Sequence, residues 1–205
     1  MSVSHISMLV GSMFSATIFV FNAMLVMVLS DALAECFRAF CDKARFTANQ
    51  ASDRHIPTEL VENMRALYNE LSRITLAMDH IVGSITLVTL LADGLYIFQV
   101  LLLFLKNPEE NLVAHISNIP IAVRFFLMLY FVSSVHSEWL SAKSCLLRLL
   151  PHTGGMEVLR FFMQITTDKV SLTAAGLVSF TRPLILALLG AVLSYEIILV
   201  QFETQ

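Results

Sequence analysis

The chain has 205 residues, of which 57% are apolar and 14% charged, and its net charge is −3. Soluble domains average about 45–50% apolar and ~25% charged, so this balance excludes a water-soluble globule and indicates an all-α, polytopic helical membrane protein. The mild acidity, with no basic run and no glycine-rich phosphate loop, argues against nucleic-acid or nucleotide partners. The three cysteines, Cys36, Cys41 and Cys145, do not form a spaced framework for disulfides or zinc. No His-Glu-x-x-His pair, nucleophile elbow or paired membrane aspartates are present, so neither an enzyme nor a cofactor or metal is expected.

A helix needs about 20 mostly apolar residues to cross the hydrocarbon core. The first such run, 8–29, is too long for a signal-peptide core and lacks a basic flank before it, so it reads as a span with an extension, over 7–46. From 58 to 105 there is no proline, and at about 1.5 Å per residue one helix of roughly 70 Å results. Thr58 is its expected N-cap, with Glu59 and Glu62 at the positive end of the dipole. Its apolar span is 78–105. Its first half places Leu60, Met64, Leu67, Leu71, Ile74, Met78 and Ile81 at alternating four- and three-residue steps, the seam of a helical bundle. The third helix is expected over 118–150, starting at Asn118-Ile119-Pro120 and crossing at 121–135, with Trp139 as an interfacial anchor. An amphipathic helix follows at 156–173, with Val158, Phe161, Phe162 and Ile165 on one side. After Gly176 an apolar helix over 177–202 makes the fourth span.

Lys and Arg set the direction of these spans. Arg38, Lys43, Arg45, Arg54, Arg65 and Arg73 lie between the first two; Lys106 alone lies between the second and third; Lys143, Arg148, Arg160 and Lys169 lie between the third and fourth. The first and third connections are therefore expected in the cytoplasm, with both chain ends outside and a helical bundle under the membrane.

The last helix ends Ser194-Tyr195-Glu196-Ile197-Ile198-Leu199-Val200-Gln201-Phe202. This resembles the terminal signature of insect gustatory receptors, Thr-Tyr, five hydrophobic residues and Gln-Phe, with serine replacing threonine. Further stretches resemble the sugar-receptor branch of that family: Arg65-Ala66-Leu67-Tyr68-Asn69-Glu70-Leu71 with Met78-Asp79, Leu95-Tyr96-Ile97-Phe98-Gln99-Val100, Glu157-Val158 with Arg160-Phe161, Gln164, Thr166 and Leu172-Thr173, and Thr181-Arg182. The resemblance implies a C-terminal half of a seven-span receptor, corresponding to its fourth to seventh spans. It also implies a sugar-responsive, ligand-gated, non-selective cation channel in the plasma membrane, a homo- or hetero-tetramer whose last helix lines the pore and whose C-terminus is extracellular.

On that resemblance Gln201 and Phe202 form the outer pore mouth, and Ser194 and Ile198 share the gate face; otherwise Gln201 is an interfacial residue at a helix end. Asp93 lies mid-span, where a carboxylate is expensive and faces a cavity or a partner. With Tyr96, Gln99 and, more weakly, Tyr130 it could contact a sugar, whose hydroxyls bond carboxylate or amide groups and whose C–H faces stack on aromatic rings. The alternative is an inter-helix hydrogen bond for Asp93 and plain packing for Tyr96. Arg124 and Glu196 lie at matching depths, and a buried ion pair between them is expected, against separate snorkelling to the interface. His136 and Glu138 point to different helix faces and make no metal pair. A small transporter or accessory membrane protein is the competing reading; a transporter would show matched broken helices in two halves, and only one broken helix occurs here.

Overall fold

The computed structural model describes residues 3–50, 58–106, 112–149 and 156–203, with side chains described for 13–47, 59–100, 119–147 and most of 156–201. Among the described residues five helices run in chain order: α1 (Val3–Gln50), α2 (Thr58–Lys106), α3 (Leu112–Leu149), α4 (Met156–Thr167) and α5 (Arg182–Glu203), with a small hairpin of β1 (Thr173–Ala174) and β2 (Val178–Ser179) between α4 and α5. The protein is an all-α membrane protein. Three of its helices are long and apolar enough to cross a bilayer, and α5 contributes a shorter apolar helix over Arg182–Val192 among the described residues. With 48, 49 and 38 residues, α1, α2 and α3 each exceed the ~20 residues that a bilayer requires.

The core sits between α1 and α3, which form the most extensive contact in the chain. From α1 it takes Ala23, Val26, Ser30, Leu33, Ala34, Phe37, Phe40, Cys41 and Ala44; from α3 it takes Met128, Leu129, Val132, Ser133, Val135, Trp139, Ala142 and Leu146. The small residues at Ala23, Ser30, Ala34, Ala44 and Ala142 let the two backbones approach closely, which is how helices associate where lipid competes for apolar contacts. Large apolar side chains such as Phe14, Phe21, Leu91 and Leu95 point outward, as a lipid-facing surface requires. α3 begins at Leu112, earlier than its expected start, and passes through Pro120, which forfeits a single intrahelical hydrogen bond.

The α2 seam differs from its sequence expectation at every second position. Met64 and Leu71 are buried, but Leu67, Ile74 and Ile81 are exposed; Val61, Tyr68, Thr75 and Val82 take the inner places. The three-four spacing survives in a register set by Tyr68 and Thr75. Both look polar in a hydropathy pattern but bury without penalty because their hydroxyls are bonded; Thr75 Oγ1 donates to the Leu71 carbonyl at 2.8 Å.

The segment between α4 and α5 also departs from expectation. α4 stops at Thr167 rather than continuing to 173, with Asp168 N donating to the Gln164 carbonyl at 2.9 Å and closing its last turn. In the hairpin Thr173 pairs with Ser179 and Ala174 with Val178. The turn is closed by Leu177 N to the Ala174 carbonyl at 2.9 Å, with positive φ at Ala175 (52°) and Gly176 (75°), the geometry that suits strand twist. α5 therefore starts at Arg182, five residues later than 177, with the Thr181 carbonyl accepting from Leu184 N and Pro183 in the first turn, where its missing N–H is harmless.

The seam register is testable. Leu71→Ala should lower stability by about 2–5 kcal/mol, the range for truncating a packed leucine. Leu67→Ala, at an exposed position, should change it by less than about 1 kcal/mol. Thermal melts of the detergent-solubilised protein measure both, and equal losses would contradict the register.

Candidate functional site

Polar side chains mark three places where the helices are joined. The first lies in the apolar part of α2 and α3. Asp93 is 4% exposed, and both its carboxylate oxygens accept from the Arg124 guanidinium: Nε donates to Oδ2 at 3.2 Å, and Nη2 donates to Oδ1. A fork-on-carboxylate pair of this kind fixes orientation as well as charge. Gly94 follows Asp93, and the Phe125 ring beside Arg124 lies 3.7 Å from where a Cβ at Gly94 would stand, so the two helices meet closely at the pair. Arg124 thus has Asp93 as its partner, where Glu196 was expected; the Glu196 side chain lies outside the described residues. The Asp93 carboxylate is committed to an inter-helix bond, the alternative weighed against ligand contact.

The second joint is centred on Tyr68, which is fully buried. Trp139 Nε1 donates to the Tyr68 hydroxyl at 3.3 Å, and that hydroxyl donates to Asp168 Oδ2 at 3.3 Å. Burial pushes the phenol above its ordinary value, so it stays protonated and keeps its donor. Phe161 meets the Tyr68 ring edge-on at 5.8 Å and Phe40 lies 6.3 Å away, so α1, α2, α3, α4 and the segment after α4 all converge here. Trp139 is 2% exposed and is a core hydrogen-bond donor, not an interfacial anchor. Lys143 sits 4.9 Å over its ring, and His136 packs beside it. His136 Nδ1 lies 3.1 Å from the Val170 carbonyl; a carbonyl only accepts, so that nitrogen carries the proton. Gln164 ties α4 to α2, donating to Asn69 Oδ1 at 2.6 Å and accepting from Arg65 Nε at 3.4 Å.

The third joint holds the hairpin. Asp79 on α2 accepts from Thr173 N at 2.5 Å and from Thr173 Oγ1 at 2.6 Å, while Thr173 Oγ1 accepts from Gly176 N at 2.9 Å. One turn along α2, Gly83 leaves room for the hairpin: a Cβ there would stand 3.0 Å from the Thr173 carbonyl and 3.2 Å from Ala175 N. Two open clefts flank this contact. One, of about 200 Å³, is lined by Ser72, Thr75, Leu76, Asp79 and 168–171; the other, of about 410 Å³, by Leu76, Asp79, His80, Ser84, Ala175 and Gly176.

α5 packs mainly on α3 through Leu184 and Ile185 and otherwise presents an apolar surface, including Leu186, Leu188, Val192 and Ile198. Ser194, Ile198 and Gln201 are all exposed, and their spacing of four and three puts them on one face. The Phe202 side chain lies outside the described residues. Tyr96, Gln99 and Tyr130 are exposed on α2 and α3, and neither cleft is lined by them or by Asp93.

The profile of the trehalose receptor family matches residues 1–205. The chain belongs to this family of gustatory receptors. Among its relatives from Drosophila melanogaster, gustatory receptor 64f for sugar taste is 30% identical over 203 residues, covering 94% of this chain and 41% of that receptor. Gustatory receptor 5a for trehalose is 29% identical over 190 residues, covering 90% and 40%. The chain therefore spans about two fifths of the length of the curated relatives it matches. Several residues in this gustatory receptor chain that quoted the family's pattern in sequence, Tyr68, Asp79, Gln164 and Thr173, are joint residues in the fold. In the sequence they stand out only by likeness and as polar residues set within or beside apolar runs.

Trp139 is the chain's one tryptophan, so its fluorescence reports on the Tyr68 joint. Tyr68→Phe should remove about 1–3 kcal/mol of stability by leaving buried partners unpaired, and should shift Trp139 emission; an unchanged spectrum would contradict the bond. Asp93→Leu or Arg124→Met should each cost about 3–5 kcal/mol, the penalty of stranding a buried charge. The double substitution should lose less than the sum, with a coupling of ~1–3 kcal/mol. Strict additivity in thermal melts would remove the pair.

Proposed function

We propose that this chain is part of a chemosensory sugar receptor that works as a ligand-gated, non-selective cation channel, assembled as a homo- or hetero-tetramer in the plasma membrane. The observation that carries the reading is α5. Among the described residues it is an apolar helix that packs mainly on α3 and keeps much of its surface exposed, Ser194 and Ile198 included. Copies of such a helix around an axis would present an apolar constriction with a polar ring at one end, a hydrophobic gate. The sugar class follows from relatives described as receptors for sugar taste and for trehalose.

In this reading α1, α2, α3 and α5 are the four spans. The excess of basic residues supports a cytoplasmic position for the α1–α2 and α3–α4 connections and an outer position for the C-terminus. The Tyr68 joint, α4 and the hairpin then form the cytoplasmic bundle. Tyr96, Gln99 and Tyr130 are the proposed sugar contacts, an amide and two rings exposed toward neighbouring segments of the assembled receptor. Asp93 supports them indirectly by holding α2 to α3 through Arg124.

Patch-clamp recording from cells that display the protein, alone and together with a sugar gustatory receptor, tests the proposal. Trehalose or another disaccharide should evoke an inward current carried by both Na⁺ and K⁺. Gln201→Ala should change leak or ion selectivity while surface expression stays normal. Surface-expressed protein that passes no sugar-evoked current in either setting, or that accumulates sugar instead, would overturn the channel reading in favour of an accessory subunit or a transporter.

A further inference from the structure

The α1–α3 interface carries a thiol pair that the receptor function does not use. Cys41 on α1 is 3% exposed and Cys145 on α3 is half-buried. The residues are 104 positions apart in sequence, yet their Sγ atoms stand 2.7 Å from each other, and both thiols are free. Arg45, one turn beyond Cys41, donates from Nε to Cys145 Sγ at 3.2 Å. Ala44 and Ala142 pack in the same core, and their small side chains hold the helices close enough for this contact. Cys36 is exposed on α1 and takes no part.

We infer that Cys41 and Cys145 form an oxidation site that a peroxide converts into an intramolecular disulfide, covalently locking α1 to α3. Cys145 reacts first: it is the sulfur a small oxidant can reach, while Cys41 is buried behind it, and the Arg45 Nε–H bonds Cys145 in place. Its sulfur attacks one peroxide oxygen, the O–O bond breaks, and the departing hydroxide takes the thiol proton as water, leaving a sulfenic acid. The buried Cys41 sulfur then attacks the Cys145 sulfur. The S–O bond breaks, the hydroxyl leaves with the Cys41 proton as a second water, and the S–S bond forms. The two sulfurs together lose two electrons and the peroxide gains two. A dithiol reverses the step by exchange, as expected for a regulatory bridge in a reducing compartment.

The test exposes membranes containing the full chain to hydrogen peroxide, blocks remaining thiols with N-ethylmaleimide, and identifies cross-linked peptides by mass spectrometry after digestion. A Cys41–Cys145 peptide should appear, disappear on dithiothreitol treatment, and persist in Cys36→Ser. Cys145→Ser should abolish it. Cys41→Ser should leave a sulfenic acid at Cys145 that dimedone labels. Absence of the cross-link in the unmodified chain, cross-links that chiefly involve Cys36, or dimedone labelling of Cys41 ahead of Cys145 would each overturn the assignment.

Discussion

A polar side chain buried away from water costs free energy unless it is bonded, and that constraint accounts for where most of the described buried polar side chains have gone. Within the apolar reach of α2 and α3 an arginine and an aspartate meet, each costly alone and each satisfied by the other. Below them Tyr68, Trp139 and Asp168 share a hydroxyl, and Asp79 closes on the Thr173 backbone and side chain. Because lipid tails are as apolar as leucine, the apolar faces alone would not choose between registers. Small residues between α1 and α3 set how near the helices come; the polar joints set how they are aligned. A one-residue slip of α2 would strand Tyr68, Asp79 and Asp93 together, which is why one register is specified along a helix of 49 residues.

α3 is the common partner of this arrangement. α1, α2, α4 and α5 all touch it, and it supplies Arg124 to α2, Trp139 to Tyr68, His136 to the Val170 carbonyl and Glu138 to Arg38 on α1 at 3.1 Å. The Arg38–Glu138 bond is largely solvated, and exposed ion pairs of this kind contribute little energy. Its use is positional. It lies on the same α1–α3 contact as Cys41 and Cys145, one helical turn from Cys41, so this end of the contact carries both a polar bond and a thiol contact.

The long helices were legible in the sequence because apolar length and the absence of proline survive any packing. The seam was half legible. Met64 and Leu71 follow from the apolar spacing, but Tyr68 and Thr75 displace Leu67 and Ile74 because a bonded hydroxyl buries as readily as a methyl group. The partner of Arg124 was not legible from depth along a helix, since a depth counted along each helix ignores which faces meet and how the helices are offset; Asp93 on α2 is the residue that reaches it. The hairpin was missed for a local reason. Residues 170–173 and 177–180 are apolar and small and read as the ends of two helices broken at Gly176, until the β-branched residues, the Ala175-Gly176 turn and the flanking threonines are weighed together. The Gln-Phe signature is what singled out the end of α5, which periodicity alone would have left as a helix end.

The hairpin determines how α5 can respond to the rest of the molecule. α5 is attached to the bundle at its start, where Thr181 caps it and Leu184 and Ile185 pack on the core, while Leu186 and later residues turn outward. Two residues before that cap lies Ser179, paired to Thr173, and Thr173 is held by Asp79 on α2. A shift of α2 along its axis would therefore act on the base of α5 through one carboxylate, one threonine and a two-stranded ladder, a path with few soft torsions. A continuous helix over 177–202 would have no such lateral anchor, and a flexible loop would absorb the shift. With Gly83 allowing the hairpin to lie directly against α2, the linkage is short: the base of α5 is joined through Ser179, Thr173 and Asp79 to the same helix that carries Asp93.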